Sequence, residues 1–308
     1  MNIALDVIII FACIAGLAKG ASWLVDSSVK IASWLKIPEL VIGLTIVSFG
    51  TSAPEFGVTL LAAVKGMGDI AIGNVVGSNI FNLGFILGGT AIIRDLHATK
   101  SLVYRDGIFL LAGTILLTFM AWDLTVTKLE GFLLLSALIV YLISLFIRKG
   151  IKEQLQETEQ LRWYDFLLFP LGLLIILIGS HFLVESAVNL ARIAGISEWV
   201  IGTTIVAFGT SAPELATSIA AAVKGHHGIS IGNLIGSDIF NMFGVLGVTA
   251  IIQFMEVDEG VRYNMILLVA MVILVLFFIR TRWRISRREG VILVLIGIAR
   301  WVYSFAFN

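Results

Sequence analysis

The chain has 308 residues, 58% of them apolar and 14% charged, and its formal net charge is zero. Mean hydropathy is +1.00, whereas a soluble domain sits nearer about 45–50% apolar and about 25% charged, so the composition belongs to the membrane class. The single Cys13 excludes an intramolecular disulfide framework and a multi-cysteine metal site, while zero net charge says nothing about partners.

The first ten residues, MNIALDVIII, lack the basic start of a cleavable signal peptide and read as the outer end of a membrane helix. A span needs roughly 20 mostly apolar residues. Ten segments qualify in chain order: 4–33, 38–65, 70–93, 103–122, 127–147, 165–193, 197–223, 229–253, 261–280 and 288–306. One long polar connection, RKGIKEQLQETEQLRWYD at 148–165, separates five spans from five. The expected organisation is therefore a first repeat at 1–150, a short cytosolic linker at 151–164 and a second repeat at 165–308. His97, His181, His226 and His227 form no ligand spacing, and the last two read as loop residues at the membrane edge.

The two sets of five are copies. VIGLTIVSFGTSAPEFGVTLLAAVKG at 41–66 matches VIGTTIVAFGTSAPELATSIAAAVKG at 200–225 in 18 of 26 positions. IAIGNVVGSNIFNLGFILGGTA at 70–91 matches ISIGNLIGSDIFNMFGVLGVTA at 229–250 in 13 of 22. The offset is 159 residues throughout, and it also aligns GASWLVDSSV at 20–29 with GSHFLVESAV at 179–188. Five spans is an odd number, so the second copy enters from the opposite side. The expected fold class is an all-α polytopic membrane protein with ten transmembrane helices in two inverted-topology five-helix repeats. Fifteen Lys and Arg residues lie on the side of the loops after the odd-numbered spans and five on the other. The basic side is cytoplasmic, so both termini are expected outside.

GTSAPE, at 50–55 and again at 209–214, puts a helix breaker and a carboxylate inside apolar runs. Pro54 lacks an N–H and clashes with the preceding turn, and Gly50 tolerates unusual dihedrals. The pattern predicts a discontinuous helix with carbonyls released around Ser48–Gly50. Such backbone is tolerated at membrane depth only where protein buries it or a cavity is lined by it. Those carbonyls, the hydroxyls of Thr51 and Ser52 and the carboxylate of Glu55 are hard oxygen donors suited to Na⁺ or Ca²⁺. A charge at the bilayer centre costs about 2.5–3.5 kcal/mol even on a lenient scale. No Lys, Arg or His lies in either block before its closing Lys to offset Glu55 or Glu214, which leaves a bound cation or a proton. Ser78 and Asn82 are four apart, as are Ser237 and Asn241, so each pair gives one helix face neutral oxygen donors. Gly73, Gly77, Gly232 and Gly236 form small-residue steps that let helices approach closely.

Three acids fit less simply. Asp26 and Glu185 are symmetry-related but have more polar neighbours, which reads as a place near the membrane edge, with a direct ion or proton role as the alternative. Asp238 stands where the first copy has Asn79, away from the Ser237/Asn241 face, and reads as a pathway or supporting residue, with tuning of the site as the alternative.

The paired GTSAPE and GSNIFN/GSDIFN blocks resemble the repeats of the cation/Ca²⁺ exchanger superfamily, and prokaryotic sodium/calcium exchangers in particular. The resemblance covers nearly the whole chain. It implies a central cation site, alternately exposed as helices 1 and 6 slide against the rest. Carried over by position, its ligands are Thr51, Ser52, Glu55, Ser78 and Asn82 from one half, and Thr210, Ser211, Glu214, Ser237 and Asn241 from the other. The carbonyls of Ser48 and Ala207 complete the implied set. Members of this type often hold an acid at the place of Asn82 or Asn241; here both are amides, which leaves stoichiometry and the choice of Na⁺ or H⁺ open. The function implied is an antiporter of the cell membrane exchanging Ca²⁺ for Na⁺, or for H⁺ on the same fold. Transported ions and the bilayer are the expected partners, with no cofactor, no nucleic acid and a monomer as the working unit. An intramembrane hydrolase would need a Ser–His pair, paired aspartates or a metal motif; His181 is not duplicated and lies in none.

Overall fold

A computed structural model describes residues 3–147 and 161–307, so most of the expected linker, 148–160, lies outside the described residues. The described chain is mostly helical. In the first half α1 is Ile3–Leu35, α2 Glu39–Thr51, α3 Ala53–Val64, α4 Gly68–Ile93, α5 Leu102–Asp123 and α6 Lys128–Ile147. In the second, α7 is Asp165–Ile193, α8 198–210, α9 Ala212–Lys224, α10 His227–Ile252, α11 Gly260–Arg282 and α12 Arg287–Phe307. Seven helices among the described residues are long and apolar enough to cross a membrane, and nine spans result if each of two bent pairs counts as one. The last expected segment, 288–306, falls on the 21-residue α12.

The bent pairs are α2–α3, at 49°, and α8–α9, at 56°. Each breaks at a serine: Ser52 has φ −81° and ψ 8°, and Ser211 has φ −91° and ψ 8°. The break thus falls later than the Ser48–Gly50 stretch that the sequence suggests. Pro54 and Pro213 sit in the first turn of the helix that resumes, where a missing N–H costs nothing. The Ser48 carbonyl consequently stays bonded, accepting from the Ser52 N–H at 3.0 Å and from the Thr51 hydroxyl at 3.3 Å. Wider π-helical turns precede each break, at Gly43–Val47 and Gly202–Val206. They also interrupt α4 and α10 at Asn82–Ile86 and Phe240–Val245. Such turns expose carbonyls and concentrate at functional sites.

Burial orders the helices from centre to rim. The most apolar stretches of α4 and α10 are 72% and 78% buried, whereas those of α1 and α7 are 17% buried. Outward faces are apolar, as lipid contact requires: Phe11, Phe119, Leu129 and Val140 are each exposed by about two thirds or more. The helices α1 and α7 run antiparallel along each other. A Cβ on Gly20 would stand 2.8 Å from the Gly172 carbonyl oxygen, and one on Gly172 would stand 2.7 Å from that of Gly20, so their backbones touch. Lys30 Nζ meets Asp165 Oδ1 at 3.1 Å at one end, and Asn189 donates to Asp6 at 3.4 Å at the other. The second pair is the first displaced by 159 residues. Two short antiparallel ladders repeat the relation: Leu96–His97 pairs with Arg284–Ile285, and Thr125–Val126 pairs with Met255–Glu256.

Candidate ion-binding site

The two breaks bring the paired motifs face to face. Ser52 donates to Glu214 Oε1 at 3.1 Å, and Ser211 donates to Glu55 Oε1 at 3.1 Å. Each serine that opens a resumed helix therefore holds the carboxylate of the opposite half. Thr51 joins Ser52 on Glu214, and Thr210 joins Ser211 on Glu55. Both glutamates are buried, at 1% and 0% exposure. Neither makes an ion pair among the described residues, and the Oε2 atom of each has no hydrogen-bond partner there. A buried carboxylate without a cationic neighbour is expensive unless a proton or a cation offsets its charge.

The surrounding helices complete an oxygen-rich shell. Ser237 donates to Glu214 at 3.3 Å and lies 3.5 Å from Thr51 Oγ1. Ser78, its mirror, is also buried. Ser48 turns its hydroxyl back to the Thr45 carbonyl at 3.0 Å, and Ala207 opens the matching turn Ala207–Thr210. Asn82 and Asn241 lie one helical turn beyond the serines. Asn82 donates to Asp238 Oδ1 at 3.0 Å, and Asn241 donates to Asn79 Oδ1 at 3.1 Å. The remaining carbonyl oxygens of both amides are buried without a partner. No three His, Cys, Asp or Glu side chains among the described residues cluster as a metal site. The donors are hydroxyls, amides and spaced carboxylates, a set for hard cations rather than for a soft transition metal.

Two supporting residues escaped the motif reading. Asn74 donates to Thr59 Oγ1 at 3.0 Å and to the Glu55 carbonyl at 3.4 Å; Asn233 repeats both bonds on Ser218 and Glu214, at 3.1 and 3.4 Å. Their signal was present, since both stand after Gly in the duplicated IGN triplet. They fix the first turn of each resumed helix, and hence the carboxylate it carries. The other singled-out residues stay apart from this centre. Asp26 pairs with Lys224 at 2.6 Å, Glu185 is exposed, and His226 faces Glu39 at 3.0 Å.

Known proteins resemble this chain in sequence and fold. The family model described as sodium/calcium exchanger protein matches residues 5–147 and 164–305. The sodium/calcium exchanger MaX1 of Methanosarcina acetivorans is 32% identical over 98% of this chain and 99% of its own. The putative antiporter CaxA of Alkalimonas amylolytica is 36% identical, over 86% of this chain and 88% of its own. A solved structure of the sodium-calcium exchanger NCX_Mj, soaked with Na⁺ and Sr²⁺, superposes with a TM-score of 0.85 at 31% identity, covering 100% of both chains.

Proposed function

The chain belongs to the sodium/calcium exchanger family, and we propose that it is a Ca²⁺ antiporter driven by Na⁺, working by alternating access. The observation that carries this reading is the reciprocal pair of bonds, Ser52 to Glu214 and Ser211 to Glu55, on buried carboxylates with no cationic partner among the described residues. Ca²⁺ and Na⁺ would compete for one shell of oxygens. Its ligands would be Thr51, Ser52, Glu55, Ser78, Asn82, Thr210, Ser211, Glu214, Ser237 and Asn241, with the backbone of Ser48 and Ala207. An empty shell leaves two carboxylates facing each other in a low dielectric, which penalises the unloaded protein and discourages it from switching. That penalty enforces exchange over leak.

The arrangement we propose is ten spans in two inverted repeats, 1–150 and 165–308, in the cell membrane, with the linker cytosolic and both termini outside. The 159-residue shift that relates the hydrogen bonds, the ladders and the α1–α7 end contacts supports it. A single copy holds both halves of the site, so a monomer suffices. The test is ⁴⁵Ca²⁺ uptake into Na⁺-loaded proteoliposomes diluted into Na⁺-free buffer, with Glu55→Gln alongside. Uptake that needs internal Na⁺ and vanishes in the variant is the expected result. Uptake driven by a pH gradient alone would assign protons as the driving ion, and movement under neither gradient would remove Ca²⁺ as the cargo.

A further inference from the structure

We propose that Asp238 is a third acidic member of the ion site, joined to it through Asn82. The inference rests on the reading of that site as one for Na⁺ and Ca²⁺. Asp238 follows Ser237, is fully buried, and presents Oδ1 to the Asn82 amide at 3.0 Å. Its Oδ2 has no partner, and neither does the Asn82 carbonyl oxygen. No Lys, Arg or His pairs with it among the described residues.

The internal duplication supplies the control. The mirror seat holds Asn79, which takes the same bond from Asn241 at 3.1 Å. An amide therefore satisfies the geometry of this seat, and the hydrogen bond does not require a carboxylate. Placing an acid there puts a carboxylate at 0% exposure with no cationic partner among the described residues, which desolvation penalises. A cation passing the Asn82 and Asp238 oxygens offsets that cost. The site then carries three carboxylates instead of two, with the third on the second half only. The complement of monovalent ions that neutralises it rises from two to three.

Asp238→Asn is the direct test, because it makes both blocks read GSNIFN. Purified full-length protein in detergent is titrated with ⁴⁵Ca²⁺, then with Na⁺ as competitor. The half-saturating Ca²⁺ concentration is expected to rise on the order of tenfold, and the Na⁺ competition curve to become less steep. The double variant Asn79→Asp/Asp238→Asn moves the charge to the mirror seat and is expected to recover much of the affinity. Ca²⁺ binding and Na⁺ steepness unchanged in Asp238→Asn, while Glu55→Gln abolishes binding, overturns the proposal and leaves the site reading standing. Binding that survives both variants overturns the site reading itself, and the proposal with it. If Asp238→Asn does not fold, Asn79→Asp alone decides: the added acid raises Ca²⁺ affinity if the seat faces the ion, and unchanged affinity overturns the proposal.

Discussion

The first half of α10 lies backbone to backbone on α2, while the mirrored glycines of α4 make no such close approach to α8 among the described residues. A Cβ on Gly232 would come within 2.8 Å of the Leu40 carbonyl oxygen, and one on Gly236 within 2.7 Å of Leu44 Cα. Among the described residues, a Cβ on Gly73, the mirror of Gly232, would meet nothing within 4 Å, and the nearest atom to one on Gly77 would be an Arg300 nitrogen at 3.8 Å. The difference extends outward. Lys224 at the end of α9 bridges to Asp26 of α1, whereas the mirrored Lys65 and Glu185 are both exposed and form no ion pair among the described residues. A cavity of about 900 Å³, lined by Leu17, Leu183 and Phe208 among others, opens between α1, α7, α8 and α9. The paired serine–glutamate chemistry is thus shared between the halves, and the packing around the two breaks is not. Related sequence holds two packings in one molecule, and under the proposed alternating access an exchange of the two would close the open seam and open the closed one.

The shared chemistry gives the largest expected effects. Glu55→Gln and Glu214→Gln should each reduce Na⁺-driven Ca²⁺ uptake by at least on the order of a hundredfold, and to the same degree. Ser52→Ala and Ser211→Ala each delete a hydrogen bond to a carboxylate, worth about 1.5–3 kcal/mol. Their losses should match as well, at on the order of tenfold to a hundredfold in half-saturating Ca²⁺. A large loss in one half with none in the other, measured on the same preparations, would break the symmetry.

The unequal packing gives the next. Gly236→Ala forces a methyl into the Leu44 backbone and the Ser48 hydroxyl, at 2.7 Å from each. It should cost about 1–3 kcal/mol and lower the melting temperature in detergent. Gly73→Ala has room and should melt as wild type. Transport separates the two further. If the seams exchange during the cycle, Gly73 must meet α8 as Gly232 meets α2 here, so Gly73→Ala should slow uptake without destabilising the protein. Normal uptake by Gly73→Ala would show that the first-half seam never closes.

These contrasts also mark what the sequence could convey. Apolar run length led to ten expected spans, of which seven helices, or nine spans with the bent pairs, qualify among the described residues, and the repeat was read from identity at a constant offset. Glu55 and Glu214 stood out because a carboxylate is costly in hydrocarbon. The position of the break did not follow, because Pro54 ends one helix only by starting the next, and Ser52 takes the bend. The crossed pairing of Ser52 with Glu214 joins residues 162 apart, and no spacing within either block encodes it. Asp238 was visible as the one acid within the aligned blocks that lacks a counterpart, but its partner Asn82 belongs to the other half. The packing difference is the least legible of all: GlyAsnxxGlySer occurs in both copies, so which copy is seated on its neighbour is a property of the conformation.

The smallest expected effect comes from the surface pair that accompanies the closed seam. Lys224 Nζ lies 2.6 Å from Asp26, at 29% and 47% side-chain exposure, and also donates to the Ser22 hydroxyl at 2.7 Å. An exposed pair of this kind is worth about 0.2–1 kcal/mol. Lys224→Gln should therefore leave folding intact and shift the balance of the two packings by at most about fivefold. Lys65→Gln removes the mirrored partner of Glu185 and should shift the balance the opposite way. Paired cysteines read the shift directly. Asp26→Cys with Lys224→Cys should cross-link in the packing described here, and Lys65→Cys with Glu185→Cys only when the packing exchanges. Ca²⁺ or Na⁺ that raises one yield while lowering the other would tie the ion site to the exchange of seams. Two yields that never move together would mean that the Lys224–Asp26 contact is ordinary surface electrostatics and that the asymmetry of the halves is fixed.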